Sequence, residues 1–204
     1  YGIARVAVDS VLFELFSSFT ISEIRLNNVA TPYGRNNSAI KVPANLTAGQ
    51  TFKIEVDYNG TPPNGVTNPL GGAGMTNASS PSWGNRVTWS LSEPFSAYEW
   101  WPCKQSLRDK ADSVSVKITV PSTCKAGSNG VLENVVDLGN GTTRYEWKHK
   151  HAIDYYLISV AVAEYVDYTI YANPVGAPNP VKIQNYIYNN PQTLPYFKND
   201  IDET

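Results

Sequence analysis

The stretch Thr51-Phe-Lys-Ile-Glu-Val-Asp-Tyr58 decides the fold class. Phe52, Ile54, Val56 and Tyr58 take alternate positions and Lys53, Glu55 and Asp57 fill the gaps, the period of two expected of a strand with one buried face. Asn59-Gly60 closes it with a strong turn signal. Val114-Ser-Val-Lys-Ile-Thr-Val-Pro121 repeats the pattern, with Val114, Val116, Ile118 and Val120 facing inward. Val6 to Phe16 and Phe19 to Leu26 read as further strands, the second alternating less regularly with Glu23 turned outward. Tyr155 to Val166 is a longer apolar run, which suits a strand covered on both faces.

Between these runs, Pro62 to Ser82 is rich in Gly, Pro, Asn and Ser and reads as a long surface loop. Its Gly71-Gly-Ala-Gly74 lacks the lysine and the helix context of a phosphate-binding loop. No internal repeat and no long helix interrupts the strands, although the tail from Thr193 to Thr204 can begin a helix. The expectation is all-β: a large sandwich- or saddle-like domain of mostly antiparallel sheets, with a short helix at the C-terminus.

Composition narrows the class of function. The 204 residues suffice for one large β domain, the preferred reading, or for two small ones, and a net charge of −2 leaves no basic footprint for nucleic acid. Charged residues are only 17% of the chain while Tyr (13) and Trp (5) are frequent, which fits an exported β protein: periplasmic, secreted or at the cell surface. No apolar run reaches the length of a membrane span, and no leader precedes Tyr1, so the chain is expected to be an internal piece of something longer. Cys103 and Cys124 could pair in an oxidising compartment or remain two buried thiols. His149 and His151 share a strand face, but no second cluster joins them, so a polar strand face is preferred to a metal site. Sequons at Asn36, Asn45, Asn59, Asn77 and Asn140 are expected from chance in a chain rich in Asn, Ser and Thr. His-Glu-x-x-His and Gly-x-Ser-x-Gly are both lacking, so no catalytic residue or metal ligand is expected within these residues.

One segment stands apart: Ser90-Leu-Ser-Glu-Pro-Phe-Ser-Ala-Tyr-Glu-Trp-Trp-Pro-Cys103. Loops are ordinarily small and polar, so an irregular stretch carrying Phe95, Tyr98, Trp100 and Trp101 has to pack against something. Pro94 and Pro102 fix φ and favour one path. A carboxylate at Glu93 is then held in place, as a binding carboxylate would be and as a structural Glu paired with Arg or Lys would be too. Trp83, Trp89, Trp100 and Trp101 could form a stacking platform for sugars, though such residues are more often packing.

The order of landmarks resembles the N-terminal β domain of the M1 zinc metallopeptidases, the aminopeptidase N family. Ala48-Gly49-Gln50 and the strand through Tyr58-Asn-Gly60-Thr-Pro62 are similar to the family's first landmark. Ser92-Glu93-Pro94 resembles its Thr-Gln-x-Glu-Pro element, and Trp100-Trp-Pro-Cys103 its Trp-x-Pro-Cys. Lys110-Ala111, Val120-Pro121, Ser128-Asn129-Gly130, Trp147, Ile153-Asp-Tyr-Tyr-Leu157 and Ala161-Val-Ala163 follow in the family's order. Two positions depart: Leu91 stands where Gln is common, and Lys104-Gln105-Ser106-Leu107 replaces Phe-Asp-Glu-Pro.

The resemblance implies that residues 1–190 form the N-terminal β domain and that 191–204 begin the connection to a missing catalytic domain, the chain's partner. It implies a zinc-dependent aminopeptidase acting on peptides, with zinc bound by the full-length enzyme and not by this part. Glu93 would anchor the α-amine of the substrate, and Pro94, Trp100, Trp101, Pro102 and Cys103 would support it. The alternative is a carbohydrate-binding or structural β-sandwich module.

Overall fold

The computed structural model describes residues 1–63 and 74–203. The chain is all-β: every strand pair with an assigned register is antiparallel, and the described residues include one α-helix, Thr193–Asp202. Two compact units divide it. The first comprises Tyr1–Thr76, Ser90–Asp112 and Ala152–Ile158, and the second Asn77–Trp89, Ser113–His151 and Ser159–Thr204.

In the first unit, Val8–Glu14 pairs with Ala39–Leu46, and Thr20–Leu26 with Ile54–Asn59. Phe13, Leu15, Phe19, Ile21, Ile24, Ile40 and Val42 form its buried cluster, with Ile54, Val56 and Tyr58 packed against it. The alternation read from residues 51–58 thus points its apolar set inward, although the ladder is divided into Thr51–Phe52 and Ile54–Asn59. The uneven alternation of Thr20–Leu26 has a physical cause. A bulge between Ile21 and Glu23 leaves Ser22 outside the ladder, so Ile21 and Ile24 both face the core. Asn27 and Asn28, at φ 52° and 67°, make the two-residue turn into Val29–Ala30, a hairpin the sequence reading passed over. Asn59-Gly60 does end a strand, but the chain runs on from it as coil through residue 63. Arg35 ties down the turn after the first long strand, donating to the carbonyls of Leu15, Phe16 and Phe19.

In the second unit, Thr142–His149 lies between Val114–Pro121 and Val131–Asp137. Lys125–Ser128, Val160–Ala163, Arg86–Ser90 and Met75–Ser79 form a four-stranded sheet in that order, and Tyr165–Ala172 pairs with Val181–Tyr188. Val114–Pro121 alternates as read, its Val120 buried with Ala126 and Tyr145. The run from Tyr155 to Val166 is not one strand. Tyr155–Leu157 is a 3₁₀ turn, Val160–Ala163 is a strand, and after Glu164 the chain enters a different sheet. Leu157 is 45% exposed, so the apolar run does not mean burial on both faces. Within the stretch read as a loop, Met75–Ser79 is a strand, while the Gly71-Gly-Ala part lies outside the described residues.

Landmarks far apart in sequence meet in the fold. Ala111 and Ile153 bridge through both backbone hydrogen bonds, and Lys110 pairs with Asp154 at 3.2 Å. Asn129 Oδ1 accepts from the Ser159 amide at 2.7 Å, and Ser128 Oγ donates to the Ser159 carbonyl at 2.7 Å. Gly130, at φ 88°, lies where a Cβ would fall 2.1 Å from the Lys148 carbonyl. Trp147 donates to the Ala126 carbonyl at 2.9 Å. Cys103 and Cys124 are both free thiols.

Candidate functional site

Residues 90–103 fold as two linked turns. Pro94 sits in the first, where the Ser96 amide donates to the Ser92 carbonyl at 3.2 Å. The second is the 3₁₀ turn Ala97–Glu99, whose Ala97 carbonyl receives the amides of Trp100 (3.1 Å) and Trp101 (3.2 Å). Ser92, Ser96, Ala97, Glu99 and Cys103 are buried. Tyr98 and Trp101 pack, partly buried, against the cluster of Ala97, Cys103 and Tyr155, while Phe95 is exposed, so only part of the aromatic content is packing content.

Most anchors of this segment have a named partner, whereas Trp101 Nε1 is buried with none among the described residues. Trp100 Nε1 donates to Ser92 Oγ at 2.9 Å, closing the first turn against the second. Tyr58 OH donates to the Trp100 carbonyl at 3.0 Å, and burial raises the Tyr58 pKa, with Cys103 adding to the shift, so the phenol keeps its proton. The Phe16 amide donates to the Tyr98 carbonyl at 2.8 Å. Glu14 and Cys103 exchange backbone bonds of 2.8 and 3.0 Å. Gln105 Nε2 donates to Glu14 Oε2 at 2.6 Å, so the amide that departs from the family pattern has its own carboxylate partner. Burial, with Glu14 adding to it, pushes the Cys103 thiol up to about 12, which keeps it protonated and makes it a poor nucleophile.

The two carboxylates of the segment have opposite environments. Glu99 is 4% exposed and accepts the Gly74 amide at 2.6 Å. Gly74 in turn accepts from the Leu91 amide at 3.3 Å. A Cβ on Gly74 would lie 2.3 Å from the Ser96 carbonyl and 2.6 Å from Glu99 Cβ, so only glycine allows this approach. Glu93 is exposed and stands at the tip of the turn with Pro94 and Phe95. Phe95 is 54% exposed and held at φ 75°, which costs a residue with a Cβ about 1–2 kcal/mol. The fold holds Phe95 there through the buried serines on either side.

Pro94, Trp100, Trp101, Pro102 and Cys103 thus lie in one pinned segment with Glu93 at its outward turn. Gly74, Tyr58 and Glu99 belong to the same construction and were not singled out from the sequence. Glu99 was visible as the second carboxylate of the segment, but its inward direction depends on the 3₁₀ turn. Trp100 and Trp101 are tilted by 58° to each other, and no tryptophan is among the exposed large apolar residues. His149 and His151 do meet, edge to face at 5.9 Å, but the strand ends at His149. Among the described residues no three His, Cys, Asp or Glu side chains converge as a metal-binding set.

No family model and no curated protein matches this sequence. Solved structures do. The M1 zinc metallopeptidase of Deinococcus radiodurans superposes with a TM-score of 0.77 over 92% of this chain at 19% identity. The fold is that of part of an M1 zinc metallopeptidase. A mutant M1 zinc metallopeptidase from the same organism, bound to a Tyr-Ser-Ala substrate, matches with a TM-score of 0.76 at 20% identity over 92% of the chain. Aminopeptidase A of Legionella pneumophila, in complex with aspartic acid, matches over 89% of the chain with a TM-score of 0.66 at 14% identity. The chain spans 41% of the length of the two Deinococcus structures and 20% of the Legionella one. The resemblance drawn from the ordered landmarks is borne out at the level of the M1 fold.

Proposed function

We propose that this chain is the N-terminal β domain of an M1-type zinc aminopeptidase and that Glu93 holds the free α-amine of the peptide substrate. The observation that carries this reading is the difference in exposure of the two carboxylates: Glu99 is buried and accepts the Gly74 amide, while Glu93 is exposed on a turn fixed at both ends. A carboxylate on a rigid mount forms a charge-assisted bond to an ammonium without first losing conformational freedom. Such an anchor places the first peptide bond of the substrate at a fixed distance from the reacting centre and excludes chains that offer no amine. The zinc and the general base belong to a catalytic domain outside the described residues. The low charge and abundant tyrosine support an exported enzyme.

The test is kinetic, in the full-length enzyme. Glu93→Ala is expected to lower kcat/KM on aminoacyl reporter substrates ten- to a hundredfold, roughly the 1.5–3 kcal/mol of one hydrogen bond to a charged group. Glu93→Gln is expected to retain part of that loss, since an amide oxygen still accepts. Unchanged kinetics in both variants would overturn the assignment.

A further inference from the structure

Among the described residues, four other than glycine adopt a positive φ: Asn27, Asn28, Asn37 and Phe95. Asparagine tolerates the left-handed region because its short amide can bond to the nearby backbone. Phenylalanine has no such compensation, so Phe95 at φ 75° is the outlier of the set. A turn that only had to redirect the chain would favour glycine or asparagine at this position. Burial of the ring is the ordinary reason to accept the strain, yet Phe95 is 54% exposed. Among the described residues its ring joins no buried cluster and pairs with no other ring. Neither local backbone preference nor packing within the described residues accounts for a phenylalanine here.

We propose that Phe95 is a specificity-determining residue whose ring receives the first side chain of the peptide, so that substrates with a large apolar N-terminal residue are preferred. This rests on the reading that Glu93 holds the substrate amine. Phe95 follows Glu93 by two residues in the same turn, and the bonds from the Ser96 amide to the Ser92 carbonyl and from Trp100 Nε1 to Ser92 Oγ fix that turn for both. In a peptide the α-amine and the first side chain leave the same carbon, so a group that holds the amine brings that side chain against its own neighbours. An aromatic ring offers a large, stiff apolar surface for such a contact. Leucine or phenylalanine at the first position would cover the ring, whereas alanine carries too little apolar area to do so. Backbone strain beside a binding group is a recurrent feature of ligand sites.

The experiment measures kcat/KM of the full-length enzyme on leucyl, phenylalanyl and alanyl 4-nitroanilides. Phe95→Ala is expected to lower the leucyl-to-alanyl and phenylalanyl-to-alanyl ratios about tenfold, the lower end for one apolar contact, and Phe95→Leu to retain most of both. Phe95→Gly removes the ring and the strain together. It should lose the same selectivity while unfolding at an equal or higher urea concentration, which separates the effect from misfolding. Leu107→Ala, which truncates another exposed apolar residue outside the turn, should leave the ratios as they are. Unchanged ratios in Phe95→Ala and Phe95→Gly would overturn the proposal. So would an equal loss on all three substrates, which is the result expected if the ring rests on another part of the full-length protein. Glu93→Ala acts on all three alike, so unchanged Glu93 kinetics would defeat the amine reading, while unchanged ratios would defeat this one alone.

Discussion

Gly74→Ala tests whether the turn bearing Glu93 is rigid because its base is close-packed. The new Cβ would sit 2.3 Å from the Ser96 carbonyl oxygen and 2.6 Å from Glu99 Cβ, well inside van der Waals contact. Neither obstacle is the free end of a flexible side chain: one is backbone, the other the root of a buried residue. Relief therefore needs a backbone shift, for which overpacking costs about 1–3 kcal/mol. The same shift lengthens the 2.6 Å bond from the Gly74 amide to the Glu99 carboxylate, and hydrogen bonds to charged groups contribute about 1.5–3 kcal/mol. The two terms share one displacement and do not add fully, so the expected loss is about 2–4 kcal/mol. Urea denaturation followed by tryptophan fluorescence reads this directly, since Trp100 and Trp101 lie in the affected segment. Gly34→Ala is the control, because its nearest obstacle is 4.0 Å away, and it should change stability by less than about 0.5 kcal/mol. A Gly74→Ala protein within about 0.5 kcal/mol of the parent would refute the idea that close packing sets the turn.

Three other outcomes follow. Gln105→Glu places a second carboxylate against Glu14 Oε2, 2.6 Å from the present amide nitrogen, and should cost about 1–2 kcal/mol near pH 7. The repulsion raises the carboxyl pKa values of the folded variant, so the deficit should shrink as pH falls through the carboxylate range; a deficit that does not change with pH rejects the charge argument. Cys103, raised from 9.0 to about 12, contributes stability that is fully present below pH 9 and is lost as pH rises towards 12. Tyr165 and Tyr186, also raised to about 12, act at the upper end of that window, so Cys103→Ala should flatten part of the alkaline loss seen in urea titrations and not all of it. At pH 8 iodoacetamide should label Cys124 and leave Cys103 unlabelled until the chain unfolds; equal labelling of the native protein contradicts its burial.

How far the sequence could be read depended on whether a signal was local. Period-two patterns at residues 51–58 and 114–121 identify strands because the pleat itself imposes them, and the structure turns those faces inward. The Phe19–Leu26 pattern looked irregular because one bulged residue shifts the phase, which only the partner strand reveals. The apolar run from Tyr155 to Val166 was misread because hydrophobicity carries no information about where a chain leaves one sheet for another. Direction within irregular backbone is equally non-local. Nothing in Ser-Glu-Pro-Phe-Ser-Ala-Tyr-Glu distinguishes a carboxylate that points into the core from one that points away; the distinction arises from Gly74, which lies nineteen residues before Glu93 in sequence and meets Glu99 only in the fold. The structure also separates the landmarks by use. Asn129, Trp147 and Lys110 place their polar atoms on Ser159, Ala126 and Asp154, so holding the fold together explains their presence. Glu93 is the exposed carboxylate of the segment, mounted at the tip of a turn whose flanking serines, buried glutamate and glycine are all spent on fixing its base. The role proposed for Glu93 would make use of that base, since a charge positioned for a ligand gains from a rigid mount.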